Sequence, residues 1–311
     1  MLIFASDRFV LPLPAGNRFP MRKYALLRER VEKVAGPLMR TAPAATKDEL
    51  VQAHDPAYVA AVLEGRLDER ALRRIGFPWS PAMVERSLRS VGATLAACRS
   101  ALDQGAGVTL AGGTHHAHRD FGEGFCVFND AAVATRTLKA QGQVRRVLIV
   151  DLDVHQGDGT AALLAGDDYA WTLSVHGRNN FPFRKASSRQ DVELADGTRD
   201  QRYLATLAIA LPLAIARSRP DLAIYLAGAD PYEGDRLGRL ALSKRGLAQR
   251  DAYVLDCLRE RGIPVAVTMA GGYADDVDDV VDIHFATVGA VLERFSALPD
   301  TAGRATLRSL A

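Results

Sequence analysis

The chain has 311 residues, 39 basic against 37 acidic side chains and a net charge of +2. That balance creates no global field for nucleic acid, and no run of five or more Lys/Arg occurs. With 48% apolar and 24% charged residues the composition excludes a disordered chain, and the length suffices for a large core without disulfides or lipid.

The start, MLIFASDRFV, has neither the basic region nor the apolar length of a signal peptide. The periodicity of MRKYALLRERVEKV, opened by Pro20 and Met21, predicts a helix. Thr46 and Glu49 form a capping box for the next one. Ser80-Pro81 opens a long helix that Gly105 stops. Strands and helices then alternate. Strands are expected at 108–113, 144–154, 170–175, 222–228 and 264–272. Helices are expected from Asn129 to about Gly142, from Thr160, over 201–218 with a kink or break at Pro212, and over 245–261 and 276–296. Near-continuous apolar strands separated by helices predict an α/β fold, a single-domain parallel β-sheet covered by helices on both faces. No repeat or Pro/Gly/Ser-rich linker divides the chain, so residues 1–311 are read as one domain. The longest apolar run, Leu207 to Ala216, has ten residues against the about 20 that a bilayer requires, so no membrane association is expected. Cys98, Cys126 and Cys257 are widely spaced and odd in number, which points to reduced thiols and a cytoplasmic location.

Ligands of open α/β sheets bind beyond the carboxyl ends of the strands, and four strand ends carry unusual polar residues. They are Gly113-Thr114-His115-His116-Ala117-His118, the stretch from Asp151 to Gly159, Gly228-Ala229-Asp230, and Gly271-Gly272-Tyr273. If the strand runs through 154, Asp151, Asp153 and His155 share one face. Three polar side chains buried together form either a self-satisfied cluster or a metal site. Asp153 and His155 suit zinc or iron(II), with Asp230 as a third ligand and one or two positions left for water and substrate. Asp151 and Asp158 can orient His115 and His116 and raise their basicity, which supplies a general base. Tyr273 is either a buried aromatic with a satisfied hydroxyl or a donor to an oxyanion. His118 reads as loop surface and His284 as helical, while His54 and His176 stay unassigned. Gly157-x-Gly159-x-x-Ala162 fits a loose dinucleotide fingerprint, but Asp153 and Asp158 would repel a pyrophosphate there.

Taken together, GGTHHAHRDFGEGFCVFND (112–130), VDLDVHQGDGT (150–160), LAGADPYEGDRLG (226–238) and AGGY (270–273) resemble the histone deacetylase superfamily, of the arginase–deacetylase fold, over about residues 1 to 296. EGDRLG and the segment 181–198 resemble its class IV branch and bacterial relatives. The resemblance implies zinc, with iron(II) as an alternative, held by Asp153, His155 and Asp230. It implies His115 and His116 as tandem histidines backed by Asp151 and Asp158, and Tyr273 as the transition-state tyrosine. Phe125, Phe181, Gly124, Gly272 and Leu237 become the substrate-binding set, and Asp151 and Ser174 fall where many members hold a potassium ion. The expected activity is removal of an acyl group from N-acyl-lysine in a protein, or from a small acylated amine such as a polyamine. The class IV resemblance implies tolerance of long acyl chains, and the small Gly113 and Thr114 beside the tandem histidines give a partial physical reason for it. Phe77-Pro78-Trp79 lacks the rim aspartate by which class I and II members grip the substrate backbone. An arginase-like site would need more carboxylates around two manganese ions. A non-catalytic acyl-lysine binder would lack a ligand or the tyrosine, and neither is missing.

Overall fold

The computed structural model describes residues 1–14 and 16–296; the last part of the expected single domain, 297–311, lies outside the described residues. Eight strands form one sheet: β1 (Leu2–Ala5), β2 (Met39–Thr41), β3 (Ala106–Thr109), β4 (Val147–Asp151), β5 (Ala170–Gly177), β6 (Gln190–Leu194), β7 (Leu222–Leu226) and β8 (Val265–Thr268). Their order is β2-β1-β3-β8-β7-β4-β5-β6 and every pairing is parallel. Period-two alternation divides β4 between two cores. Leu148 and Val150 face one side with Tyr225 and Val267, under α1 (Arg22–Ala35), α8 (Asp200–Ser218), α9 (Lys244–Arg259) and α10 (Val277–Phe295). Val147 and Ile149 face the other with Ile224 and Ala266, under α5 (Pro81–Gln104) and α6 (Asp130–Ala140). Buried on both faces, the sheet has to be apolar throughout, which is why its strands read as continuous runs. Among the described residues no helix is long and apolar enough to cross a membrane.

The local signals translate directly into caps. Thr46 closes its capping box over α2 (Lys47–Leu50), Ser80 accepts from Met83 N–H, and Asn129 accepts from Ala132 N–H. Gly105 ends α5 in the left-handed region, where a glycine carries no Cβ penalty. Other expectations shift. The strand expected at 108–113 is 106–109, and that expected at 144–154 is 147–151, so the polar residues sit on loops past the sheet. The short helix α7 (Asp158–Leu164) begins two residues before Thr160. Pro212 sits inside an unbroken α8. Strands β1, β2 and β6, and helices α3 (Pro56–Glu64) and α4 (Glu69–Ile75), were not legible in the pattern. β2 is short and largely exposed and β6 alternates polar residues, so neither makes an apolar run.

Candidate active site

The four loops singled out in the sequence leave β3, β8, β7 and β4, four adjacent strands of the sheet, at their carboxyl ends. Adjacency, not sequence, therefore brings them together. The loop after β3 carries His115 and His116 and is clamped from α6. Asp130 accepts from the Gly113 and Thr114 N–H groups at 2.9 and 2.8 Å, and Asn129 Nδ2 donates to the His115 and Ala117 carbonyls. Gly113 must be glycine: its φ is +68°, and a Cβ would collide with Ala270. The loops after β4 and β7 are tied by Arg250 of α9. This residue is fully buried, and its guanidinium donates to the Leu152 and Gly228 carbonyls at 3.2 and 2.8 Å and to Asp251. Asp235 accepts from Tyr273 N–H and from Leu237 and Gly238 N–H, which joins the β7 and β8 loops.

Asp153, His155 and Asp230 are buried and offer donor atoms within 4.8 Å of one another. Asp151 ends β4, so the three do not share a strand face as expected; the loop after β4 turns Asp153 and His155 towards Asp230. His155 Nδ1 lies 2.9 Å from Asp153 Oδ1 and 3.3 Å from Asp230 Oδ2. Asp230 Oδ2 has no hydrogen-bond partner although fully buried. A Cβ on Gly271 would strike both carboxylates, so that glycine leaves the space between them open. Burial opposes charge on His155, yet the Asp153 and Asp230 carboxylates outweigh it and lift its pKa to about 10. Burial and the neighbouring Asp153 charge raise Asp230 to about 7. The unpartnered Asp230 oxygen and the open space beside Gly271 suit a cation, and two oxygen donors plus one imidazole fit a zinc or iron(II) ion.

The tandem histidines have distinct partners. His115 Nδ1 pairs with Asp151 Oδ2 and His116 Nδ1 with Asp158 Oδ1, each at 2.7 Å. Burial works against charge on His115, but Asp151 and Asp153 raise it to about 9. Burial and the charge on His115 push His116 down to about 4, leaving it neutral. Tyr273 is buried beside them; burial and the Asp153 and Asp230 charges hold its phenol protonated, well above the usual range.

A cavity of about 540 Å³ reaches this cluster. Phe125, Phe181, Gly124 and Leu237 line it, as do His115, His116 and Tyr273. Phe181 meets His116 edge-on at 4.9 Å, while Phe125 packs against Phe77, Phe19 and Tyr273. Gly272 sits beside the cavity and passes its carbonyl to Lys23 Nζ at 3.3 Å. Ser174 lies opposite Asp151 in the strand register and bonds to His176 Nδ1. His118, expected as loop surface, is half-buried and points at Asp158, with Nε2 3.1 Å from Oδ2. His284 is helical and buried, as expected of its helix.

Sequence reasoning missed several residues here. Lys23 and Arg86 are buried, line the inner part of the cavity and have no carboxylate partner among the described residues. Lys23 stands 5.3 Å from the Tyr273 ring, and Arg86 stacks over Tyr24. A lone lysine in a helical pattern gives no signal of this. Asp130 and Asp235 were visible within the quoted motifs, but nothing local distinguishes a loop clamp from a surface carboxylate.

A parallel sheet with these donors gathered at its carboxyl edge, beside a cavity lined largely by apolar side chains, defines an α/β protein with a candidate metal centre. The histone deacetylase domain family matches residues 18–288, and the chain belongs to that family. It is 43% identical over 284 residues to an uncharacterized protein of Picosynechococcus sp., covering 89% of this chain and 93% of that one. It is 29% identical to the histone deacetylase-like amidohydrolase of Pseudomonas aeruginosa, over 76% of this chain and 66% of the relative. Histone deacetylase 2 of Arabidopsis thaliana is 36% identical, but only 49% of its length is matched, by 60% of this chain. The crystal structure of a histone deacetylase homologue from Aquifex aeolicus superposes with a TM-score of 0.81 at 22% identity, covering 99% of this chain and 88% of that one. That likeness confirms the expected arginase–deacetylase fold.

Proposed function

We infer that the protein is a zinc-dependent amidohydrolase that removes the acyl group from N-acyl-lysine side chains. The observation that supports this most directly is the Asp153–His155–Asp230 cluster placed beside two buried His–Asp pairs, in an aromatic-lined cavity. A dication bound there supplies Lewis-acid polarisation of the amide carbonyl and makes water more acidic. His116 is neutral and its Nδ1 is committed to Asp158, so Nε2 is the atom free to take the proton from attacking water. His115, held charged by Asp151, stabilises negative charge nearby and is the stored proton for the leaving amine. Tyr273 donates its phenolic hydrogen to the developing oxyanion. Phe181 and Phe125 exclude water around the methylene stem. Lys23 and Arg86 suit the carboxylate of the released acid. Asp151 and Ser174 are proposed as part of a structural potassium site. The buried, unpaired cysteines accord with a cytoplasmic location.

Small acylated amines such as acylpolyamines are the second reading, since the same cavity admits any slender amine. An arginase-like centre is disfavoured because His115 and His116 stand where carboxylates bridging two adjacent ions would be needed, and Asp151 and Asp158 are turned to those histidines. Purified protein assayed against acyl-lysine peptides and acetylated polyamines, with and without a strong chelator, tests the proposal. Hydrolysis is expected with about one metal equivalent per chain and none after chelation. Full activity in metal-free protein would overturn it.

A further inference from the structure

Just outside the tandem histidines, two donors that the proposed reaction does not use, His118 and Glu123, meet the outer oxygen of Asp158. His118 Nε2 is 3.1 Å from Asp158 Oδ2, and Glu123 brings its carboxylate to the same point, the three donor atoms lying within 4.8 Å of one another. Two carboxylates this close repel, and the cost is higher where water is partly excluded. Glu123 is half-buried and its pKa is raised, by burial first and then by Asp158. Its carboxylate makes no hydrogen bond or ion pair among the described residues, and no Lys or Arg there stands within ion-pair distance of either acid. The Arg74 guanidinium, whose charge partly offsets that of Glu123, lies over the ring of Phe121, on which His118 itself is stacked at 4.4 Å. The backbone under these groups is fixed. Glu123 and Cys126 exchange their N–H and C=O groups, and His118 N–H bonds to Phe121 O while its carbonyl accepts from His54. The set is therefore preorganised for a cation, and one imidazole with two carboxylates matches zinc or a similar borderline dication.

We propose that His118, Glu123 and Asp158 form a second, weaker divalent-cation site, and that its occupation suppresses the enzyme through Asp158. The ion takes the place of the proton between His118 Nε2 and Asp158 Oδ2, and Glu123 closes on it from the open side by a side-chain rotation. Asp158 Oδ1 stays bonded to His116 Nδ1, but its charge is now shared with the ion. His116 then loses the support that lets it accept a proton. The coupling to hydrolysis rests on the function proposed above, whereas the site itself does not.

Equilibrium dialysis of the protein against rising free zinc, with zinc quantified per chain, reads the site without substrate. The wild type is expected to bind about one equivalent tightly and a second more weakly. Glu123→Gln and, as a second variant, His118→Ala should keep the tight equivalent and lose at least about tenfold in affinity for the weak one. Acyl-lysine hydrolysis by the wild type should fall in step with the second equivalent, and Glu123→Gln should retain its activity at the same zinc concentration. Only one equivalent bound up to about millimolar zinc, or an unaltered second equivalent in both variants, would overturn the site. A second equivalent that binds without slowing hydrolysis would overturn the coupling through Asp158. A wild type that hydrolyses no acyl-amine refutes the proposed function, and the dialysis still decides the site.

Discussion

At Tyr273 and the two histidines, the proposed mechanism turns on single atoms. Tyr273→Phe removes one hydrogen-bond donor and nothing that the fold needs, so kcat should fall by about 10²–10³ with the metal content unchanged. A raised KM at constant kcat would make Tyr273 a binding residue instead. His116→Ala should cost about 10²–10⁴ in kcat and His115→Ala less, because in the proposed mechanism only the former takes the proton; equal small losses would reject the division of roles. His54 shows a different use of an imidazole. It donates from Nδ1 to the His118 carbonyl and accepts at Nε2 from Asn129 N–H, so it is needed neutral. Burial lowers its pKa to about 4. Between that value and the ordinary about 6.5, the unfolded chain binds a proton that the folded chain excludes. Stability should therefore fall as pH drops through that window. Urea midpoints measured across it should decline less steeply for His54→Gln than for the wild type, and parallel declines would remove His54 from this account.

At the scale of elements, the loops hold their shape because helices reach over to them. Asp130 at the start of α6 clamps the β3 loop, and Arg250 of α9 ties the β4 loop to the β7 loop. Arg250 is the largest fully buried side chain, and it bonds to Asp251, which also accepts from Tyr225 and Thr287. Removing one partner of such a buried pair strands the other. Arg250→Met should cost about 3–5 kcal/mol of stability. Because Leu152 and Gly228 shortly precede the proposed ligands Asp153 and Asp230, it should also loosen metal retention. Denaturation of the metal-loaded and chelated forms measures both; a loss under about 1 kcal/mol would show that the clamp is dispensable.

For the molecule as a whole, the proposed function makes the cavity lining the determinant of the acyl group. Besides the tandem-histidine loop, the apolar Leu11, Met83, Val127 and Phe128 and the small Gly112, Gly113 and Thr114 line it, together with Lys23 and Arg86. Each methylene desolvated there gains about 0.8 kcal/mol. KM should then fall from acetyl- to decanoyl-lysine. Good cleavage of acetyl-lysine with none of decanoyl-lysine would disprove the long-acyl preference and leave the amidohydrolase intact.

The parallel sheet, the caps at Thr46, Ser80 and Asn129, and the donor residues of the candidate site were legible in the chain itself. Apolar runs, capping hydroxyls and clustered Asp/His are local properties, and local physics fixes their meaning. What only the tertiary structure decided is which of these groups meet. Strand order puts β3, β8, β7 and β4 side by side, although β3 and β8 are about half the chain apart in sequence. The same non-local packing buries Lys23, Arg86 and Arg250 and turns His118 towards Asp158. Burial and charge pairing depend on every neighbour at once, so no stretch of sequence contains them.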